Sequence, residues 1–188
     1  MSALRLADWA VFGKLASSRV AQARALVAER TRLPRDLAEQ LATDSDNAVA
    51  QRIAARSELV PERLAGIAER HGPPVFAAVA RHSRCPSALL QWMAAHPASS
   101  RRVLQEIACH PAARSETLLL CLASEDSETR RRVAAHPALD LPVLESLINA
   151  PDGCLAQDAA TNPALPERVM ERLITRALLS NEPSRVGR

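Results

Sequence analysis

One short apolar signature recurs six times along this chain, and its spacing constrains the fold more than any other feature. With Thr31, Ser57, Ser83, Pro111, Pro137 and Pro163 as anchors, the intervals are 26, 26, 28, 26 and 26 residues. Immediately before the anchors stand VAER, IAAR, VARH, IACH, VAAH and AATN. The first two columns pair a β-branched residue with alanine in five of six copies, from Val27-Ala28 to Val133-Ala134. The fourth column holds Arg30, Arg56, His82, His110, His136 and Asn162. Self-similarity at such a period is the mark of a repeat architecture, in which each copy is one supersecondary unit.

A second segment follows each anchor: LPRDLAEQLA, VPERLAGIAE, CPSALLQWMA, RSETLLLCLA, LPVLESLINA and LPERVMERLI. Pro34, Pro61, Pro86, Pro142 and Pro166 fall where a helix would begin. There the fixed φ and missing N–H of proline do no harm. In the fourth copy Ser115 takes that place, with a hydroxyl able to cap. Leu37/Leu41, Leu89/Met93 and Leu118/Leu122 stand at i and i+4, which puts each pair on one helix face. Leu144, Leu147 and Ile148 make the same stripe. This predicts a helix A of roughly ten residues. A polar turn (TDSD, RHGP, AHPA, SEDS or APDG) and a short helix B come next, B closing on the Val/Ile-Ala pair. The two extra residues of the long interval fall in the turn spanning 94–102, which makes His96-Pro97 an inter-helix turn.

Helices this short are marginal alone in water. Stacking the pairs would bury one shared apolar seam. The expectation is an all-α fold, a curved α-solenoid of about six stacked helix pairs with a period near 26 residues. Composition agrees: aromatics are 2% with no Tyr, and only 5 residues are Gly, which suits an Ala/Leu/Val/Ile helical core. Residues 1–30 read as a capping copy with Trp9 and Phe12 on its A helix, 31–179 as the repeats of the same domain, and 180–188 as a disordered tail.

The pattern P-E-x-L-x-x-L-A, an acidic D-x-D turn, then R-x-x-V-A-x-[H/N]-P resembles the leucine-rich repeat variant family, a relative in architecture of HEAT and armadillo repeats. The resemblance covers about residues 30–175. It implies an α-helix alternating with a shorter helix, in some members 3₁₀. Some members carry a cysteine-rich iron–sulfur segment ahead of the repeats. The first 84 residues here contain no cysteine, so that feature does not carry over.

The run Arg130-Arg131-Arg132 poses the question of function. Its last two columns read Gln51-Arg52, Ala77-Ala78, Gln105-Glu106, Arg131-Arg132 and Gln157-Asp158. A stripe that tracks phosphates should be basic in every copy; this one changes sign. Mixed charge suits a protein or peptide of patterned charge. The expected function is therefore a noncatalytic binding scaffold, with these polar B-helix residues and Arg101, Arg102 and Arg130 as candidate contacts on a concave face.

The alternative is a nucleic-acid binder, down to a DNA glycosylase, because some HEAT-like proteins are alkyl-base glycosylases. Residues 61–120, with seven Arg against four Glu, favour it. Against it stand a net charge of only +3 and a scarcity of aromatic surface for an exposed base. Trp9 and Trp92 fall at core-like positions of A helices.

No catalytic residue, metal or cofactor is expected. His82, His110 and His136 share one column, where an imidazole can bond the last helix carbonyls. Parallel side chains on helices about 8–10 Å apart do not converge on one zinc, whose ligand nitrogens lie about 2 Å from it. Cys85, Cys109, Cys121 and Cys154 form no CxxC pair. Cys109 and Cys121 read as small core residues. Such spacing suits a reducing, cytoplasmic setting. Asp8 and Lys14 interrupt the N-terminal apolar stretch, so no secretory segment is expected. No run approaches the roughly 18 apolar residues of a membrane span.

Overall fold

A computed structural model describes residues 11–56 and 58–180. Among them every regular element is helical. After a helical stretch at 11–16, the helices are α1 (Ala21–Ala28), α2 (Arg35–Leu41), α3 (Asn47–Ala54), α4 (Pro61–His71), α5 (Pro73–Ala80) and α6 (Ser87–Ala95). They continue as α7 (Arg101–Ala108), α8 (Ser115–Leu122), α9 (Ser127–Ala134), α10 (Leu141–Ile148), α11 (Gly153–Ala160) and α12 (Glu167–Ser180). The even-numbered helices are the A segments and the odd-numbered ones the B segments. All six B helices are α-helical rather than 3₁₀, and each is eight residues long. The expected tail therefore starts inside α12 at Ser180, and the rest of it, like Trp9, lies outside the described residues.

Every A helix except α8 begins within one residue of its proline. Pro61 is the first residue of α4 and Pro142 the second of α10, while Pro34 and Pro86 are the caps of α2 and α6. Ser115 does not cap its own helix. Arg114 holds the cap position, and the Ser115 hydroxyl accepts instead from the Asp140 N–H at 3.3 Å. The B helices are the capped ones. Asp46 accepts from the N–H groups of Ala48 and Val49, Ser100 from Val103, Asp126 from Thr129, and Asp152 from Cys154 and Leu155. These side chains satisfy N–H donors that the first helical turn leaves open. The exceptions are α1, where Val20 offers no side-chain cap, and α5, whose cap is Gly72 at φ 65°, followed by Pro73 and Pro74. A positive φ suits glycine alone at little cost.

Each B helix packs on the next: α1 on α3, α3 on α5, α5 on α7, α7 on α9 and α9 on α11. Each A helix from α2 to α10 also packs on the B helix after it. Between them lies one cluster of buried side chains running from Ala16 to Val169. Val27, Ile53, Val79, Ile107, Val133 and Ala159 are all buried in it, with Ala28, Ala54, Ala80, Ala108 and Ala134 beside them. Phe76 heads the large side chains that are fully enclosed.

A polar ladder runs through this core. His82 Nε2 bonds the Arg56 carbonyl at 2.7 Å, His110 Nε2 the His82 carbonyl at 2.9 Å, and His136 Nε2 the His110 carbonyl at 3.2 Å. Asn162 Nδ2 donates to the carbonyls of His136 at 3.0 Å and Ala134 at 2.6 Å. At the other end the Arg56 guanidinium donates to the Arg30 carbonyl. Each imidazole accepts at Nδ1 from an N–H two residues on, that of Arg84, Ala112 or Ala138. A backbone N–H can only donate and a carbonyl only accept, so the partners fix the neutral Nε2–H tautomer. The expected bond to the carbonyls at the end of each histidine's own helix is therefore replaced by one to the preceding copy.

Burial pushes the His136 imidazole below its ordinary value of 6.5, opposed in part by its bond to the His110 carbonyl. The unfolded chain thus takes up this proton first as pH falls. The stabilisation is complete above about pH 6.5 and is lost as pH drops from there through the depressed folded value. Urea midpoints should fall between about pH 7.5 and pH 5.5, and His136→Asn should flatten that fall. An unchanged pH profile in the variant would remove His136 from this role.

Candidate functional site

Apart from Arg101 and Arg102 at the start of α7 and Arg130, the candidate residues occupy the two positions of the B helices directly ahead of the buried pair and turn away from the core. The column of Arg130, one position earlier, is buried at Ala50 and Phe76. Gln51, Arg52, Arg101, Arg102, Arg131 and Gln157 are exposed; Gln105, Glu106, Arg130, Arg132 and Asp158 are half-buried.

The arginine run is answered by carboxylates. Arg131 Nε lies 2.6 Å from Asp158 Oδ2 on the next B helix, and its NH1 lies 3.9 Å from Glu128 Oε2. Arg132 Nε lies 2.8 Å from Glu128 Oε1, one turn back on α9. Those bonds, led for Arg131 by Asp158 and for Arg132 by Glu128, hold both guanidinium groups above their ordinary value. Arg130 is different in kind. Its column is apolar in the four other copies from Ala50 to Ala156 (Ala50, Phe76, Leu104, Ala156) and holds Arg24, paired with Asp44, on α1; the Arg130 Nε is buried without a hydrogen-bond partner. Its NH2 reaches Asp152 at 3.6 Å.

The same stitching recurs along the row. Arg52 pairs with Glu29 of the preceding copy and donates from NH1 to the Ala48 carbonyl at 3.0 Å. Arg81, the C-cap of α5, pairs with Glu106, which holds it above its ordinary value. Gln51 donates to the Pro74 carbonyl at 2.9 Å, Gln105 to Asp126 at 2.8 Å, and Arg101 sits 3.9 Å from Asp126. Exposed pairs of this kind contribute little to stability, but they leave few charges free. Neither the Arg102 nor the Gln157 side chain has a hydrogen-bond or ion-pair partner among the described residues.

Around Arg102 the face is indented. A cleft of about 630 Å³ is lined by Pro74, Ala77 and Ala78 of α5 together with Gln51, Arg52, Arg81 and Arg102. Ala77-Ala78 occupies the columns that carry Gln-Arg, Gln-Glu, Arg-Arg and Gln-Asp on other B helices. Ala77, Ala78 and Arg81 were not among the candidates from sequence. The signal was present in the columns, as two missing side chains rather than two striking ones.

Trp92 is 43% exposed, not in the core. It meets Phe76 edge-to-face at a centroid distance of 5.3 Å and His96 at 6.0 Å. It lies on α6, an A helix, whereas the arginines are on B helices. Cys121 and Cys85 are buried, which pushes both thiols up to about 12. Cys109 is exposed, contrary to its reading as a core residue. It is the C-cap of α7, in a column with Glu29, Ala55, Arg81, Ala135 and Thr161, and its Sγ lies 3.2 Å from Arg132 NH1. Among the described residues no group of three or more His, Cys, Asp or Glu could hold a metal ion. Nor is any helix there long and apolar enough to cross a membrane.

No protein-family model matches the chain, and neither a curated protein nor a solved structure matches it.

Proposed function

We propose that this chain is a curved α-solenoid of about six stacked helix pairs, with a period near 26 residues, that serves as a noncatalytic scaffold binding a protein or peptide. The resemblance to leucine-rich repeat variant proteins implies the repeat architecture alone; the binding role rests on the mixed-charge face. One observation carries it: the columns facing inward are nearly constant, while those facing outward on the same helices differ in size and sign from copy to copy. Folding accounts for the first. Nothing in the packing requires the second, and a varied surface on a regular frame is what extended recognition uses.

The ion pairs weigh against nucleic acid. A phosphate approaching Arg131 or Arg132 would have to displace Asp158 or Glu128, and binding of that class draws on freely available cations. Fluorescence anisotropy with a labelled DNA duplex should show no saturable binding at about 150 mM salt. Saturable binding whose logarithm falls steeply with that of salt concentration would overturn the scaffold reading in favour of nucleic acid.

A further inference from the structure

We propose that the cleft over α5 is a docking site for an acidic peptide segment, with a carboxylate side chain held at Arg102 and a small apolar neighbour seated on Ala77 and Ala78. The proposal rests on the scaffold reading and gives its partner a chemistry.

Three features point to that occupant. The first is shape. Two alanines stand where four other B helices carry long polar side chains, and Pro74 adds to the apolar lining. The volume of about 630 Å³ lies within the range of sites that enclose ligands. The second is charge. Arg52 and Arg81 each share a carboxylate, with Glu29 and Glu106, so they can join a contact without supplying its excess charge. Arg102 has no partner among the described residues, and it stands in the first turn of α7, which contains no acidic residue. The helix dipole favours negative charge at that end, so an unanswered cation there is unfavourable and an arriving carboxylate relieves it. Arg101 beside it already faces Asp126. The third is hydrogen bonding. Pro73 and Pro74 have no N–H to offer an anion, which leaves recognition to the guanidinium groups, whose forked donors fit a carboxylate. Gln51 spends its NH2 on the Pro74 carbonyl and keeps its own amide oxygen for a peptide N–H.

The test pans a phage-displayed library of random decapeptides on the full chain and measures the enriched peptides by anisotropy. Enrichment of Asp or Glu next to small apolar residues is expected. Arg102→Glu should weaken those peptides by about tenfold or more, and so should the double change Ala77→Gln with Ala78→Arg, which fills the cleft. The filling variant copies Gln51-Arg52, a pair that a B helix of this chain already carries. Circular dichroism checks its fold; Arg102 is exposed, so its variant carries the test should the double change fail to fold. Peptides without acidic bias, or bound equally well by the filled protein, overturn the cleft assignment and leave the scaffold reading intact. A library that enriches nothing overturns both.

Discussion

His110→Ala should cost roughly 2–4 kcal/mol: it strands the half-buried Ala112 N–H, at about 1–3 kcal/mol, and removes one bond from the buried His82 carbonyl, at about 0.5–1.5 kcal/mol, leaving that oxygen only the Cys85 N–H. The side chain is 4% exposed, so water does not readily replace the imidazole at the carbonyl. Against a total of about 5–15 kcal/mol for a domain, that is a large fraction. His110→Asn should retain most of the stability. Asn162 already makes the same two contacts in the last copy, with Nδ2 to the His136 carbonyl at 3.0 Å and Oδ1 from the Ala164 N–H at 2.8 Å. Urea unfolding followed by circular dichroism gives the order wild type, Asn, Ala. An asparagine variant as unstable as the alanine one would show that the ring's volume, not its two bonds, holds the ladder.

Phe76→Ala should cost more, about 3–5 kcal/mol, the range for removing a large aromatic ring from a packed core. Phe76 is fully enclosed and abuts both Trp92 and His96, at centroid distances of 5.3 Å in each case. Leu104 occupies the same column one copy later, so Phe76→Leu should lose much less. Tryptophan emission reports the change locally, because Trp92 loses its edge contact and gains water. The shape of the unfolding curve matters as much as its midpoint. A helix that touches mainly its neighbours passes stability along the row, so a central defect should split one transition into two. A single transition displaced by less than 1 kcal/mol would contradict the packing described for α5.

The apolar frame was legible because it depends on residue type at regular intervals. Val27, Ile53, Val79, Ile107 and Val133 repeat in the sequence and are buried together in the structure. The histidine column was equally visible, yet its partners were not. A side chain near a helix end has its own carbonyls within reach in the sequence, and only the packing of one B helix on the next brings the carbonyl 26 or 28 residues back nearer. The same gap hid the ion pairs. Arg131 and Asp158 are 27 residues apart, and Arg52 and Glu29 are 23 apart, so neither pair belongs to any local motif. Cys109 and Trp92 were misjudged for a related reason. Both are apolar residues in apolar stretches, but one lies at a helix C-cap and the other on an outward edge, where one position along a short helix changes which side it faces. Ser115 was assigned from its resemblance to a capping residue, and a donor from the next copy claimed its hydroxyl.

The ladder also has a direction. Every side chain in it reaches toward the N-terminus, from Asn162 back to His136 and onward to Arg30, so each donor emerges from the ribosome after the carbonyl it will meet. A growing chain can therefore lock each new pair of helices onto the pairs already made, without waiting for anything still to be translated.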